Sequence, residues 1–157
     1  MFHPRDYLAL CLADEFATIE LGKKIAAIIR PGLIIFLTGN LGAGKTTLVR
    51  GILRGLGYVE KVKSPTYNLI EVYKISRLYL YHFDFYRFND PFEYEEAGFR
   101  EYFNSESICF VEWPERAAGL LPAADLSLFF EISGTKRVVK IYPGTEAGNG
   151  CLEYLSH

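Results

Sequence analysis

Leu33-Ile34-Ile35-Phe36-Leu37-Thr38-Gly39-Asn40-Leu41-Gly42-Ala43-Gly44-Lys45-Thr46-Thr47-Leu48 is the stretch whose reading decides the fold. Its first five residues are a continuous apolar run bounded by Gly32 and Gly39, the pattern of a short strand buried on both faces. From Gly39 to Thr46 the chain then satisfies G-x-x-x-x-G-K-[ST] at every required position. Beyond the motif, Leu48, Ile52 and Leu56 recur at helical spacing, Arg50 and Arg54 lie off that stripe, and Gly57 offers a C-cap. Strand, glycine-rich turn and helix is the context in which this motif cradles phosphate. Glycines let successive N–H groups converge on an anion with no Cβ in the way, and the helix directs its positive end at the same oxygens. Lys45 can reach the β/γ-phosphates, the Thr46 hydroxyl is a hard oxygen ligand for Mg²⁺, and Thr47 is placed to help hold the α-phosphate. No dinucleotide fingerprint occurs, so a triphosphate with Mg²⁺ is expected in preference to NAD.

Upstream of this stretch, Ala17, Leu21, Ile25 and Ile28 fall on one helical face, which predicts a helix over residues 14–30 with Asp14 as N-cap and Pro31-Gly32 as its stop. Downstream, Asn68 to Lys74 and Leu78 to Phe85 read as a hairpin around Ile75-Ser76-Arg77. Residues 88–104, with Pro91 near a helical start, read as one or two short helices. Ile108 to Val111 is a second buried strand ending at Glu112, and Leu126 to Ile132 with Lys136 to Tyr142 form a last hairpin around Ser133-Gly134-Thr135. Residues 143–157 read as a Gly-rich tail with a turn near Leu152 and no assigned role. With no repeat or linker, the expectation is one α/β domain over residues 1–157: P-loop NTPase-like, three-layered, with a mixed parallel/antiparallel sheet.

Composition agrees with a packed domain, since half of the 157 residues are hydrophobic and 15% aromatic. With 17 Lys+Arg against 19 Asp+Glu there is no global positive field for bulk binding of nucleic acid, and DNA is not expected as a partner. The apolar stretches Tyr7 to Ala13 and Leu33 to Leu37 are far shorter than the roughly 20 residues of a membrane span, so no membrane partner is expected. The first follows Arg5 but is flanked by Asp6 and by Asp14-Glu15, which is wrong for a signal-peptide cleavage site. Cys11, Cys109 and Cys151 are widely spaced, which favours reduced thiols in the cytoplasm over a zinc site.

A P-loop also needs a carboxylate at the end of a neighbouring strand, to hold Mg²⁺ or polarise the attacking water. Glu112 has that position. Asp84, in His82-Phe83-Asp84-Phe85-Tyr86-Arg87, is the second candidate, with a structural ion pair to Arg87 or Lys45 as its alternative role. Ser64-Pro65-Thr66-Tyr67 follows the P-loop helix, where related P-loop proteins place a segment that senses the γ-phosphate, and is read from the residues alone as a turn entering the strand. Arg50, Arg54, Lys61 and Lys63 are read as a solvated face in preference to a partner or RNA surface, His82 as a satisfied strand histidine in preference to a general base, and Trp113 as packing in preference to a base-stacking platform.

Taken together, the glycine loop through Thr47, Ser64-Pro65-Thr66-Tyr67, His82 to Arg87, and Val111-Glu112-Trp113-Pro114-Glu115-Arg116 resemble the bacterial TsaE (YjeE) family, ATPases of tRNA threonylcarbamoyladenosine biosynthesis. The resemblance begins at Thr18-Ile19-Glu20-Leu21-Gly22 and runs to about Arg137. Phe85 stands where the family commonly has Leu. The resemblance implies a cytoplasmic P-loop ATPase, weak alone, acting as a switch or reset with the TsaD and TsaB proteins, which modify an adenosine beside the tRNA anticodon. tRNA is then met indirectly, through that complex. It further implies ATP and Mg²⁺ as cofactors, Gly39, Gly42, Ala43, Gly44, Lys45, Thr46 and Thr47 around the phosphates, and Glu112 with Thr46 as Mg²⁺ ligands. Asp84 becomes the active-site acid near the γ-phosphate and its water. Trp113 and Glu115 join the nucleotide site, and the regions of Leu12 and Lys136 contact the base or ribose. A small P-loop kinase and a nucleotide-gated binding module with incidental hydrolysis are the alternatives. The kinase would need an arginine-bearing lid, whereas Arg77, Arg87, Arg100 and Arg116 form no lid-like cluster in sequence. Arg87 and Arg116 remain the candidates for an arginine finger.

Overall fold

Seven strands, β1 (Leu8–Leu12), β2 (Ile34–Thr38), β3 (Ile70–Ile75), β4 (Leu78–Asp84), β5 (Ser107–Glu112), β6 (Leu126–Ser133) and β7 (Lys136–Pro143), make one sheet in the order β1-β7-β6-β2-β5-β4-β3. The protein is described by a computed structural model covering residues 6–157, and Arg5, weighed above as the basic flank of the first apolar stretch, lies outside them. The four central strands β6, β2, β5 and β4 run parallel, while β3 pairs antiparallel with β4, and β7 antiparallel with both β6 and β1. The sheet is therefore mixed, as expected, with its parallel part in the middle where both faces are covered.

Alternation along the central strands sorts side chains into two cores. Ile35 and Leu37 of β2, Ile108 and Phe110 of β5 and Leu80 of β4 enter a large aliphatic core, shared with α1 (Glu15–Ala26), α2 (Lys45–Gly55) and α4 (Glu146–Leu155). Cys109, Val111 and Phe83 enter a second, aromatic core with Phe85, Phe88, Tyr94 and Phe99, which is closed by α3 (Phe92–Glu96) and the 3-10 turns at Phe99–Tyr102 and Pro114–Ala117. Within this core the rings of Phe85 and Phe88 stack at 4.8 Å, and Phe99 meets Phe83 edge-on at 5.2 Å. Helices on one face, sheet, and short helices on the other are the three layers.

Three boundaries differ from the sequence reading. The first helix begins as expected, with Asp14 Oδ1 accepting from Ala17 N at 2.8 Å, but ends at Ala26 and not near residue 30. Ile28 and Ile29 continue as tighter i→i−3 turns bonded to Ile25 and Ala26, and Pro31, which cannot donate to the ladder and biases Arg30 away from helical geometry, prevents the helix from resuming. The stretch at Tyr7 to Ala13, read only as apolar, contains β1, whose Leu8, Leu10 and Leu12 face the aliphatic core. Residues 143–157 hold a helix in place of a tail: the Thr145 hydroxyl accepts from Gly148 N at 3.0 Å, and Cys151, Leu152 and Leu155 are buried.

Asp125 ties α4 to the centre of the sheet. Its Oδ2 accepts from Ile34 N at 2.8 Å and its Oδ1 from the Thr145 hydroxyl at 2.6 Å, while its carbonyl accepts from Gly144 N at 2.9 Å. Replacing Asp125 by Ala orphans the Ile34 N–H at the entry of the strand that leads into the P-loop. Loss of two charge-assisted hydrogen bonds of this kind is expected to cost about 2–4 kcal/mol. Urea unfolding should show a lower midpoint at unchanged slope; an unchanged midpoint would contradict the role.

Candidate functional site

Between β2 and α2 the chain turns through Gly39–Gly44, with Gly42 at φ 79° and Gly44 at φ 111°, a region open to glycine and costly for side chains. Gly44 is the N-cap of α2 and brings no side-chain acceptor, so the first amides of the helix have no intrahelical or capping partner. Unsatisfied N–H groups at the positive end of an 11-residue helix are an anion site by construction.

Facing this helix end, the parallel register of β4 and β5 sets Asp84 directly beside Glu112, both at the carboxyl ends of their strands and on the face that carries α2. Asp84 is 3% exposed and Glu112 4%. The Thr46 hydroxyl donates to Glu112 Oε2 at 3.0 Å, and His82 Nε2 lies 2.6 Å from the same oxygen. Lys45 Nζ donates to the Gly39 carbonyl at 2.5 Å, sits 4.0 Å from Glu112 Oε1, and lies 4.1 Å from the centre of the Trp113 ring. Trp113 holds this place with a left-handed backbone, φ 57°. Asp84 Oδ1 accepts from Tyr86 N at 2.9 Å, and its Oδ2 lies 3.3 Å from the Thr66 hydroxyl, itself 2.7 Å from Ser64 Oγ.

Burial dominates the electrostatics. It raises the Asp84 carboxyl above the ordinary range, with Glu112 adding to the rise against the Tyr86 amide, Thr66 and Lys45. Burial acts on Glu112 in the same sense but is outweighed by the hydrogen bond to His82, by Lys45 and by Thr46, so this carboxyl is held below its usual value. Lys45 is pushed down by burial, against the pull of Glu112, Asp84 and Glu115. Two buried carboxylates around a single buried ammonium leave an unmatched negative charge, which suits a hard divalent cation. Among the described residues no group of three His, Cys, Asp or Glu side chains could hold a metal unaided. Mg²⁺, which keeps water and phosphate oxygens and needs only one or two protein ligands, fits this donor set. Thr46 already commits its hydroxyl proton to Glu112, leaving its oxygen lone pairs available to a cation.

A cleft of about 230 Å³ is lined by the glycine loop, Lys45, Thr46, Thr47, Ser64, Thr66, Asp84 and Glu112. A second hollow opens on the other side of the loop, walled by Asp14, Glu15, Thr18, Thr47, Thr135 and Arg137. Arg137 also reaches the Gly42 carbonyl, 3.3 Å from its Nη2. Ala43 packs into the aliphatic core, and Glu115 is exposed near Lys45. Leu12 is 5% exposed within that core, and Lys136 is exposed beside the two residues that line the hollow. Neither Arg87 nor Lys45 forms an ion pair with Asp84 among the described residues; the Arg87 guanidinium instead lies 4.5 Å over the Tyr67 ring. The sequence reading missed Thr66 as an Asp84 partner, His82 as a Glu112 partner, and Thr18, Thr135 and Arg137 as walls. For Thr66 the signal was its hydroxyl beside Pro65; for Arg137 and Thr135 it was only their place at the last hairpin.

A family model described as threonylcarbamoyl adenosine biosynthesis protein TsaE matches residues 12–139. A Haemophilus influenzae protein named tRNA threonylcarbamoyladenosine biosynthesis protein TsaE is 42% identical over 151 residues, 93% of this chain and 96% of that one. A Bacillus subtilis protein of the same name is 40% identical, covering 74% of this chain and 73% of its own. The crystal structure of Bacillus subtilis YdiB superposes with a TM-score of 0.83 at 29% identity, covering 99% of this chain and 97% of that one.

Proposed function

The chain belongs to the TsaE family, and from that premise we propose that it binds and hydrolyses ATP with Mg²⁺ in the cytoplasm, as the nucleotide-driven switch or reset of the TsaD–TsaB complex that installs threonylcarbamoyl on tRNA. One observation carries the reading: an uncapped helix N-terminus, a buried lysine and two in-register carboxylates converge on one cleft. The α2 amides and Lys45 hold the phosphates, with Thr47 on the side of the α-phosphate. Thr46 would hold Mg²⁺ directly, with Glu112 as its carboxylate partner, and the ion would neutralise charge on the phosphate oxygens. Asp84, beside the uncapped helix end, orients the attacking water or accepts its proton. Base and ribose extend into the hollow walled by Asp14, Glu15, Thr18, Thr135 and Arg137, with Lys136 exposed between the last two and Leu12, buried in the core, acting only through its backbone register against Arg137.

Catalysis is proposed to be weak in the isolated chain. Arg87 is engaged with Tyr67 and Arg116 with the Phe88 carbonyl, so neither stands ready as an arginine finger, and a partner surface would complete the site. The segment that would form a kinase lid instead buries Tyr94 and Phe99 in the aromatic core, which weighs against phosphoryl transfer to a bound acceptor. Depleting the protein and analysing tRNA nucleosides should reveal loss of threonylcarbamoyladenosine; an unchanged level would overturn the reading.

A further inference from the structure

We propose that His82 is a positioning residue for the magnesium half of this site: its Nε2–H holds the Glu112 carboxylate so that Thr46 stays committed to it as donor and free as a metal ligand. This rests on the nucleotide reading above but adds a role for a residue that the sequence reading left as a strand histidine satisfied in the core. His82 is fully buried, on the same face of β4 as Asp84, two residues before it, and therefore diagonal to Glu112 across the parallel pair. Its Nε2 lies 2.6 Å from Glu112 Oε2, and that oxygen also accepts from Thr46 at 3.0 Å, so two donors converge on one oxygen while Oε1 faces Lys45.

The tautomer follows from the other side of the ring. Nδ1 is buried with no hydrogen-bond partner. A proton placed there would be an unpaired donor in the interior, whereas a proton on Nε2 is used by a carboxylate. A histidine serving only to fill space would not need this short bond to an anion. An outer partner that fixes the orientation of a metal-site ligand commonly governs metal affinity by 10- to 100-fold.

The test uses the full chain with a fluorescent ADP analogue, titrated with Mg²⁺. In the unaltered protein Mg²⁺ should tighten nucleotide binding, and if it does not, the nucleotide reading itself fails. In His82→Leu the Mg²⁺ concentration giving half of that tightening should rise about 10- to 100-fold, while affinity measured without Mg²⁺ stays close to native. His82→Gln, whose side-chain amide can replace the Nε2–H, should restore most of the loss. If His82→Leu fails to fold, His82→Asn, whose shorter amide falls short of Oε2, takes its place with the same expectation. A native Mg²⁺ dependence without the donor, or a Gln variant as impaired as Leu, overturns the proposal even where Mg²⁺-nucleotide binding is intact.

Discussion

Asp84→Asn is expected to lower partner-supported ATP turnover by about 10²–10³-fold, while leaving ATP binding within a few fold of native. The substitution keeps the shape and the Tyr86 amide contact but removes the carboxylate placed to take a proton from water, its neighbour Glu112 being engaged by Thr46 and His82. The same change should raise the melting temperature at neutral pH. Because burial raises the folded-state pKa of this carboxyl above its unfolded value, ionisation opposes folding: the cost is full above the folded pKa and is relieved as pH falls through it. An amide never pays it. Glu112 has the opposite sign. Its depressed pKa contributes stability above the unfolded value, and that contribution fades as pH falls through the folded one. Turnover near native in Asp84→Asn would remove the aspartate from the role proposed for it, and a variant that melts lower would contradict the cost assigned to its ionisation.

The second large effect concerns the crossing of α1 and α2. A Cβ on Gly22 would lie 2.6 Å from the Leu48 carbonyl and 2.7 Å from Ile52 N, and one on Gly51 would lie 2.5 Å from the Ile19 carbonyl. Gly→Ala inside a helix ordinarily stabilises by about 1 kcal/mol. Here the sign reverses, since the obstacles are backbone atoms and the helices must part. Gly51→Ala and Gly22→Ala are each expected to destabilise by about 2–3 kcal/mol, and the double variant by less than their sum because one separation accommodates both. Gly150→Ala, in α4 with open space around it, is the control and should be neutral or mildly stabilising. Additive losses, or a gain at Gly51, would show that the contact is looser than described.

The legible part of the molecule was the part governed by local rules. Gly39 to Thr46 needs its residue types wherever it occurs, and β2, β5 and both hairpins announce themselves by apolar runs and turn residues. β1 and α4 were illegible for a tertiary reason. Leu8 to Leu12 has no turn partner nearby; its ladder is with β7, far along the chain. Residues 146–155 contain Gly148 and Gly150, poor helix formers, and the helix exists because Thr145 caps it, Asp125 grips its entry and β7 takes its apolar side. At the site, Asp84 and Glu112 could be picked as acids, but their adjacency depends on the register of β4 against β5, and the partners Thr66 and His82 come with that register.

The pairing of β1 with β7 also sets an order of events during synthesis. Leu8, Leu10 and Leu12 leave the ribosome early, yet the strand that completes their ladder, Lys136–Pro143, emerges only after every residue lining the cleft at the glycine loop has been made. Until then β1 is an apolar segment with unpaired amides, exposed to the pairing errors that such edges invite. The hollow walled by Asp14, Glu15 and Thr18 on one side and Thr135 and Arg137 on the other is accordingly the last part of the site to be assembled. A nascent chain halted before β7 would carry every residue of its P-loop and still lack Arg137 from the wall of that hollow.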